Sequence, residues 1–439
     1  MQFVFTLSSD IRSVCIIICD WLLVVVEYLN RDKYTELYTQ VCNLIGQEED
    51  IDLTSVYNLI SDNIDYVFEI LDEFKERKEI IIKEDKKRSF NELYKESEEF
   101  FIFLLSLLIN PKFDTKQLED CKSKFLGKII NNNNIPMLSI NVLQMYYDVL
   151  GPNYEVLTLI LEYSIKNKNT EKVITSLEKI DKHISTWNLD KDQLRFLYSQ
   201  LYEVISINEY SKFCEQSPNS IYLSYTAYKY LRTYCETFSE KEEIESRIKD
   251  EDFVPKIIKF LISSILLPDI LFFDSVLELP SVIYIKDNFI QYSVLIQLCE
   301  ICLNGKVGHF YLLKNSNSEY KKLISQYPVL EEYESNIIDK LQLLTISSLA
   351  QLNSCIRLEE LQSEFNLSSF DTQDVVVKAI SVGLIDGSID ENDGSVNINS
   401  ITKRQFGKAE WQNLEKKLNK WIDYLNELTN ILSSSNQNE

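Results

Sequence analysis

The sequence predicts a mainly α chain: a helical-repeat α-solenoid, then a winged helix, then one long C-terminal helix. Three observations lead there. Only 9 glycines and 8 prolines interrupt 439 residues, which favours long helices joined by short connections and excludes an all-β sandwich, with its many turn residues. Apolar side chains recur at three- and four-residue spacing along most of the chain. After Ala350 that grammar changes to helix, turn, helix and hairpin.

The solenoid is clearest between Thr54 and Ile205. One stripe holds Leu93, Phe100, Phe101, Leu104, Leu107 and Leu108. A second holds Val173, Leu177, Ile180 and Ile184, and a third Leu194, Leu197, Leu201, Val204 and Ile205. Each stripe is too narrow to be stable alone and must stack on its neighbours. No strict period is found, so the repeats are structural. The charged run Lys83–Arg88 and the tract Asn131–Asn134 are expected as solvated loops, and Gly151-Pro152-Asn153 as a helix break. The array resumes after Ser217-Pro218-Asn219-Ser220, through Val254, Ile257, Ile258, Leu261, Ile262 and Ile265, to Ile337, Leu341, Leu344 and Ser348.

Ile356 marks a short strand, and Leu358, Leu361 and Phe365 a short helix. Ser369 or Asp371 is placed to cap the next helix, which carries Val376, Ala379 and Ile380 and stops at Gly383. Leu384–Asp390 and Ser395–Ser400 alternate as two strands around the turn Glu391-Asn392-Asp393-Gly394. Ile385, Ile389, Val396 and Ile398 are expected on edge strands able to pair with another subunit. In the last helix Trp411, Leu414, Leu418, Trp421, Leu425, Leu428 and Leu432 form an a/d seam, which packs either on its own domain or on a partner helix. The expected division is 1–205 for the N-terminal repeats and 206–402 for a second domain, helical over 206–350 and winged over 351–402. Residues 403–439 form the terminal helix and tail.

Charge limits the ligands. Lysine and arginine total 45 against 68 acidic residues, a net charge of -23, which repels phosphate and argues against nucleic acid or an anionic membrane as the main ligand. The second helix of the winged helix offers Asp371, Gln373, Asp374 and one cation, Lys378, while the hairpin adds Asp386, Asp390, Glu391 and Asp393. Direct DNA binding is not expected of such a face. Nine cysteines without framework spacing indicate buried thiols in a reducing cytoplasm. The apolar run Val14–Val26 is too short for a membrane span of roughly 20 residues, and Met1–Asp10 lacks the basic start of a signal peptide. It is expected as a buried helix, with an extension foreign to the fold as the alternative.

Catalytic material is scarce. The only histidines are His183, expected to be exposed, and His309. Cys299-Glu300-Ile301-Cys302 matches C-x-x-C, but its helical setting makes these core thiols. Asp390–Gly394 lacks the glycine and distal glutamate of a calcium loop, and no phosphate loop or H-E-x-x-H occurs. No enzyme activity, cofactor or metal is expected.

Helical repeats running into an acidic winged helix and a terminal helix resemble the PCI-domain family of proteasome-lid, signalosome and initiation-factor-3 subunits. Within it, three stretches are similar to the subunit M family of eukaryotic translation initiation factor 3. They are Ile184–Leu189 with Leu201-Tyr202-Glu203; Leu341–Thr345; and Arg404–Lys408 with Trp411, Leu418 and Trp421. The likeness spans roughly Pro136 to Leu432. It implies a non-catalytic scaffold subunit whose partners are other PCI and MPN subunits and, through the complex, the small ribosomal subunit. A PCI scaffold of the signalosome or proteasome lid, and a nucleic-acid-binding PCI adaptor in mRNA export, remain as alternatives.

Overall fold

In the computed structural model, residues 11–29, 31–45, 53–76, 80–81, 87–88, 90–109, 115–132, 134–170, 173, 180–210, 224–316, 318–405 and 407–435 are described. Leu177, Ser217-Pro218-Asn219-Ser220, Phe406 and the start Met1–Asp10 lie outside them. The chain divides into two compact units, Met1–Phe213 and Cys214–Glu439.

The first unit is built from α1 (Ile11–Leu29), α2 (Arg31–Ile45), α3 (Leu53–Asp62), α4 (Asp65–Glu76), a small hairpin of β1 (Ile80–Ile81) and β2 (Lys87–Arg88), α5 (Phe90–Leu107), α6 (Thr115–Asn131), α7 (Pro136–Leu150), α8 (Tyr154–Asn167), α9 (Ile180–Ile184) and α10 (Lys191–Tyr210). Neighbours stack in order, α6 on α7, α7 on α8 and α8 on α10, as a solenoid requires. Phe68, Phe101, Phe125 and Tyr146 join in one line of rings across four helices, with successive centroids 5.9, 6.3 and 6.0 Å apart. Asn153 accepts from the backbone N–H of Glu155 at 2.9 Å and so starts α8 where the break was expected. The run Val14–Val26 lies within α1 and is largely buried. Among the described residues no helix is long and apolar enough to cross a membrane.

Two expectations are corrected in this unit. Lys87–Arg88 do not belong to an unstructured loop: they pair antiparallel with Ile80–Ile81. His183 is not free in solvent either. It is half-buried, edge-on to Tyr147 and stacked on Trp187, with centroids 6.4 and 6.1 Å away. The Trp187 Nε1–H donates to the Pro152 carbonyl at 3.2 Å, so the ring stack fastens the turn after α9 to the start of α8.

The second unit contains α11 (Tyr225–Glu236), α12 (Lys241–Arg247), α13 (Phe253–Leu266), α14 (Asp274–Leu277), α15 (Pro280–Asn288), α16 (Ser293–Asn304), α17 (Val307–Ser316), α18 (Ser318–Gln326), α19 (Val329–Glu332) and α20 (Glu334–Leu352). The winged helix follows as β3 (Cys355–Arg357), α21 (Leu358–Phe365), α22 (Ser369–Ser381), β4 (Ile385–Asp390) and β5 (Ser395–Ile401), and α23 (Lys408–Ser435) closes the chain. Local chemistry sets the winged helix. The cap of α22 is Ser368, one residue before the expected Ser369. Its Oγ accepts from the Asp371 N–H at 3.2 Å and donates to the Asp371 carboxylate at 2.7 Å. Gly383 takes φ 78°, and the Leu384 N–H reaches back to the Ala379 carbonyl at 3.0 Å, so only a glycine ends the helix without strain. In the hairpin turn Asp390 Oδ1 accepts from the N–H groups of Asn392 and Asp393, which gives this carboxylate a turn-forming use.

Candidate functional site

The sheet of the winged helix runs β3–β5–β4. Val396 and Ile398 therefore sit on the central strand, and the expectation that they lie on an edge is corrected: both sides of β5 are paired. Ile385 and Ile389 lie on β4, which is an edge. The side chains of Ile385 and Val396 are buried, those of Ile389 and Ile398 half-buried. Any strand addition here would use the backbone of β3 or β4 rather than these side chains. Asp371, Asp374, Asp386, Glu391 and Asp393 are exposed, with Lys378 beside them, so the surface that meets DNA in many winged helices is anionic here.

Among the described residues, the longest run of exposed large apolar side chains lies on α23. Trp411, Trp421 and Leu425 are 61, 65 and 62 % exposed, and Leu414, Leu418 and Leu428 are exposed as well. The side chain of Leu432 lies outside the described residues. Ile422 and Tyr424 add to the same surface, at the positions flanking the seam, and sequence reading by the a/d rule alone missed them. Glu415, Lys416, Lys417, Lys420, Asp423 and Glu427 accompany them along the helix. A surface of leucine and tryptophan this continuous on one helix makes α23 the candidate site.

The base of α23 is held firmly. Arg404, 3 % exposed, is a buried cation in the segment between β5 and α23. Its Nη1 donates to the carbonyls of Gly305 and Leu344 at 2.8 and 3.3 Å and to Ser348 Oγ at 2.6 Å. Its Nη2 donates to the carbonyls of Ile301 and Cys302 at 3.2 and 2.6 Å. Three of these acceptors lie at the C-terminal end of α16, where the helix dipole favours a cation, although the Ile301 carbonyl also accepts from the Gly305 N–H at 2.7 Å. Burial lowers the guanidinium pKa to about 10, which leaves it charged at neutral pH. Next along the chain, the Gly407 N–H donates to Glu410 Oε2 at 3.0 Å, and Lys403 lies 3.7 Å from the same carboxylate. Backbone donors hold the Glu410 carboxyl below its usual range.

A second buried cation supports the same core. Lys340 on α20 donates to the Ser264 carbonyl at 2.8 Å and lies 5.3 Å from the Phe273 ring centroid. Residue 268 is proline, so the carbonyl four residues earlier has no helical N–H to accept, and the ammonium takes that place. Burial pulls the Lys340 pKa down to about 8, against an opposing pull from Cys302 and Cys299. Those two thiols are buried, and burial pushes Cys302 up to about 11 and Cys299 well above its ordinary value. Such thiols are poor nucleophiles and pack as small apolar groups.

Residues 317–400 match the PCI domain. The chain is 24 % identical to subunit M of eukaryotic translation initiation factor 3 from Nematostella vectensis over 328 residues, covering 73 % of this chain and 78 % of the relative. It is 22 % identical to the Homo sapiens subunit M, covering 75 and 80 %, and 20 % identical to that of Dictyostelium discoideum, covering 68 and 69 %. The chain thus carries a PCI domain and, along most of its length, resembles the subunit M family of initiation factor 3.

Proposed function

We propose that this chain is a non-catalytic scaffold subunit of the translation initiation factor 3 complex, supporting small-ribosomal-subunit binding and the initiation of protein synthesis in the cytoplasm. The observation that carries the reading is the apolar surface of α23, exposed from Trp411 to Leu428 on a chain similar to subunit M over three quarters of its length. In this reading the terminal helix docks among helices of sister PCI and MPN subunits, and the edges of the winged-helix sheet lie against a neighbouring winged helix. The anionic face of α22 and the hairpin favours protein over nucleic acid as the partner.

Affinity purification of the tagged chain from cytoplasmic extract, followed by gradient sedimentation, tests it. Co-sedimentation with small ribosomal subunits and other initiation-factor-3 subunits is expected. Recovery with proteasome-lid or signalosome subunits alone would transfer the chain to those assemblies. Micromolar, sequence-dependent binding of duplex DNA at physiological salt, the range of specific recognition, would overturn the protein-directed reading of the winged helix.

A further inference from the structure

We propose that the outward face of α22 docks a basic amphipathic helix of a protein partner, one that carries an arginine or lysine between apolar side chains. Helix α22 packs on α20, α21 and β4 and buries Thr372, Val375, Val376 and Ala379. On its other side Phe370, Asp374, Val377 and Ser381 are all exposed. At 3.6 residues per turn these four fall within about 60° of one another, in a single line about 16 Å long. Phe370 is 71 % exposed and Val377 53 %.

Local structure gives Phe370 no use. Ser368 and Asp371 complete the cap of α22 without it, and among the described residues Phe370 is the most exposed phenylalanine. One exposed apolar side chain is ordinary. A phenylalanine and a valine aligned two turns apart supply the aromatic and aliphatic anchors that a partner helix can cover. Charge then selects the occupant. Asp374 lies on the line between the two anchors and makes no ion pair among the described residues. Covering it strips its water, a heavy cost unless the partner brings an opposite charge to the same place. Between Leu358 and Gly394 nine carboxylates stand against one lysine, Lys378. That lysine lies to one side of the line, where its long stem lets the ammonium stay in water. Nucleic acid and an anionic membrane would be repelled, and a second copy of this face would set acid against acid. A basic helix of about three turns matches both the length of the line and its charge. The inference rests on the reading of the winged helix as directed at protein. It does not depend on the docking of α23 or on the sheet edges.

The test is photo-crosslinking of the full chain. With p-benzoylphenylalanine at position 377, the tagged protein is irradiated in cytoplasmic extract and purified, and its crosslinked peptides are sequenced by mass spectrometry. Peptides of another protein are expected, with Lys or Arg within one helical turn of the apolar residue captured. Asp374→Lys in the same chain should lower their yield at least about tenfold, with circular dichroism unchanged. If that variant does not fold, Asp374→Asn replaces it, with a loss of at least about threefold. An unaltered yield overturns the inference. So do capture of nucleic acid, lipid or a second copy of this chain, capture of acidic peptides, and the absence of any crosslinked partner. Basic peptides from an assembly other than initiation factor 3 would refute the assignment to that complex and leave this inference standing. Recovery of the initiation-factor-3 complex without such a crosslink would do the reverse.

Discussion

Two tryptophan-bearing helices, α1 and α23, have apolar surfaces of similar chemistry and opposite exposure. In α1 the residues Cys15, Ile18, Cys19, Leu22, Val25 and Val26 are buried, and Asp20, which interrupts the run, is exposed. Trp21 lies 4.8 Å from the Phe100 ring and donates through Nε1 to Glu96 Oε2 at 3.4 Å. Helices α2, α4 and α5 pack on it. In α23 both tryptophans are exposed. The cause is angular breadth. The α1 run has apolar residues nearly all round, so its own unit must enclose it. On α23 charged residues recur between the seam positions, so the helix stays solvated while its seam remains open. Hydrophobicity fixes that a surface leaves water; breadth decides whether the same chain must cover it.

The sharpest way to break this comparison is to place a charge in each helix. Leu22→Asp puts a carboxylate where no solvent reaches. It should destabilise the first unit by about 4 kcal/mol or more, because an unpaired buried charge is among the costliest single changes. Hydrogen exchange should show protection lost across α1, α2, α4 and α5. Retained protection there would mean that α1 is peripheral, and the contrast with α23 would collapse.

Alkaline pH sharpens the same contrast more gently. Burial is the first cause pushing the Cys19 thiol from 9.0 up to about 12, with Cys15 and Asp20 adding to it. Its folded pKa is raised, so the protonated thiol contributes stability that is present below pH 9 and lost as the pH climbs from 9 towards 12. The slope is about 1.4 kcal/mol per pH unit in that window. Urea unfolding of the wild type and Cys19→Ala at pH 8, 9, 10 and 11 should show a shallower decline in the variant, after a constant offset for the small cavity. Equal slopes would refute the assignment.

What could be read in advance divides along the range of the interactions. The winged helix was legible because its determinants are local: Gly383 ends a helix, Asp390 and Gly394 make a turn, and Ser368 caps within one residue of the expected position. The strand order was not. β3 has three residues and pairs with β5 across some forty positions of chain, and three residues carry too little alternation to reveal which strand becomes central. The burial of Arg404 and Lys340 was hidden because composition places cations at the surface. Pro268 did leave a signal, an orphaned carbonyl at Ser264, but the sequence does not say which donor comes to it. His183 was missed for a related reason, since its stack on Trp187 is set by the α9 turn rather than by helical spacing. For the seam, periodicity identified the residues, and only the fold tells that their own unit leaves them uncovered.

The smallest effect on folding should accompany the largest effect on assembly. Leu418 and Leu425 are exposed in the free chain, so Leu418→Asp with Leu425→Asp removes almost no buried surface. The unfolding transition of the isolated protein should move by less than about 0.5 kcal/mol, the usual range for surface changes. If the seam docks on partner helices, each leucine contributes on the order of 1.5–3 kcal/mol there. The pair should then weaken association by roughly a hundredfold or more, which purification against initiation-factor-3 subunits would read as loss of the complex. Deleting residues 409–439 should behave the same way, with the Arg404 anchor left in place. The opposite pattern, a free chain that unfolds earlier while its partners are retained, would make α23 an intramolecular clasp. It would also make α1 and α23 two versions of one solution, and the contrast between them would disappear.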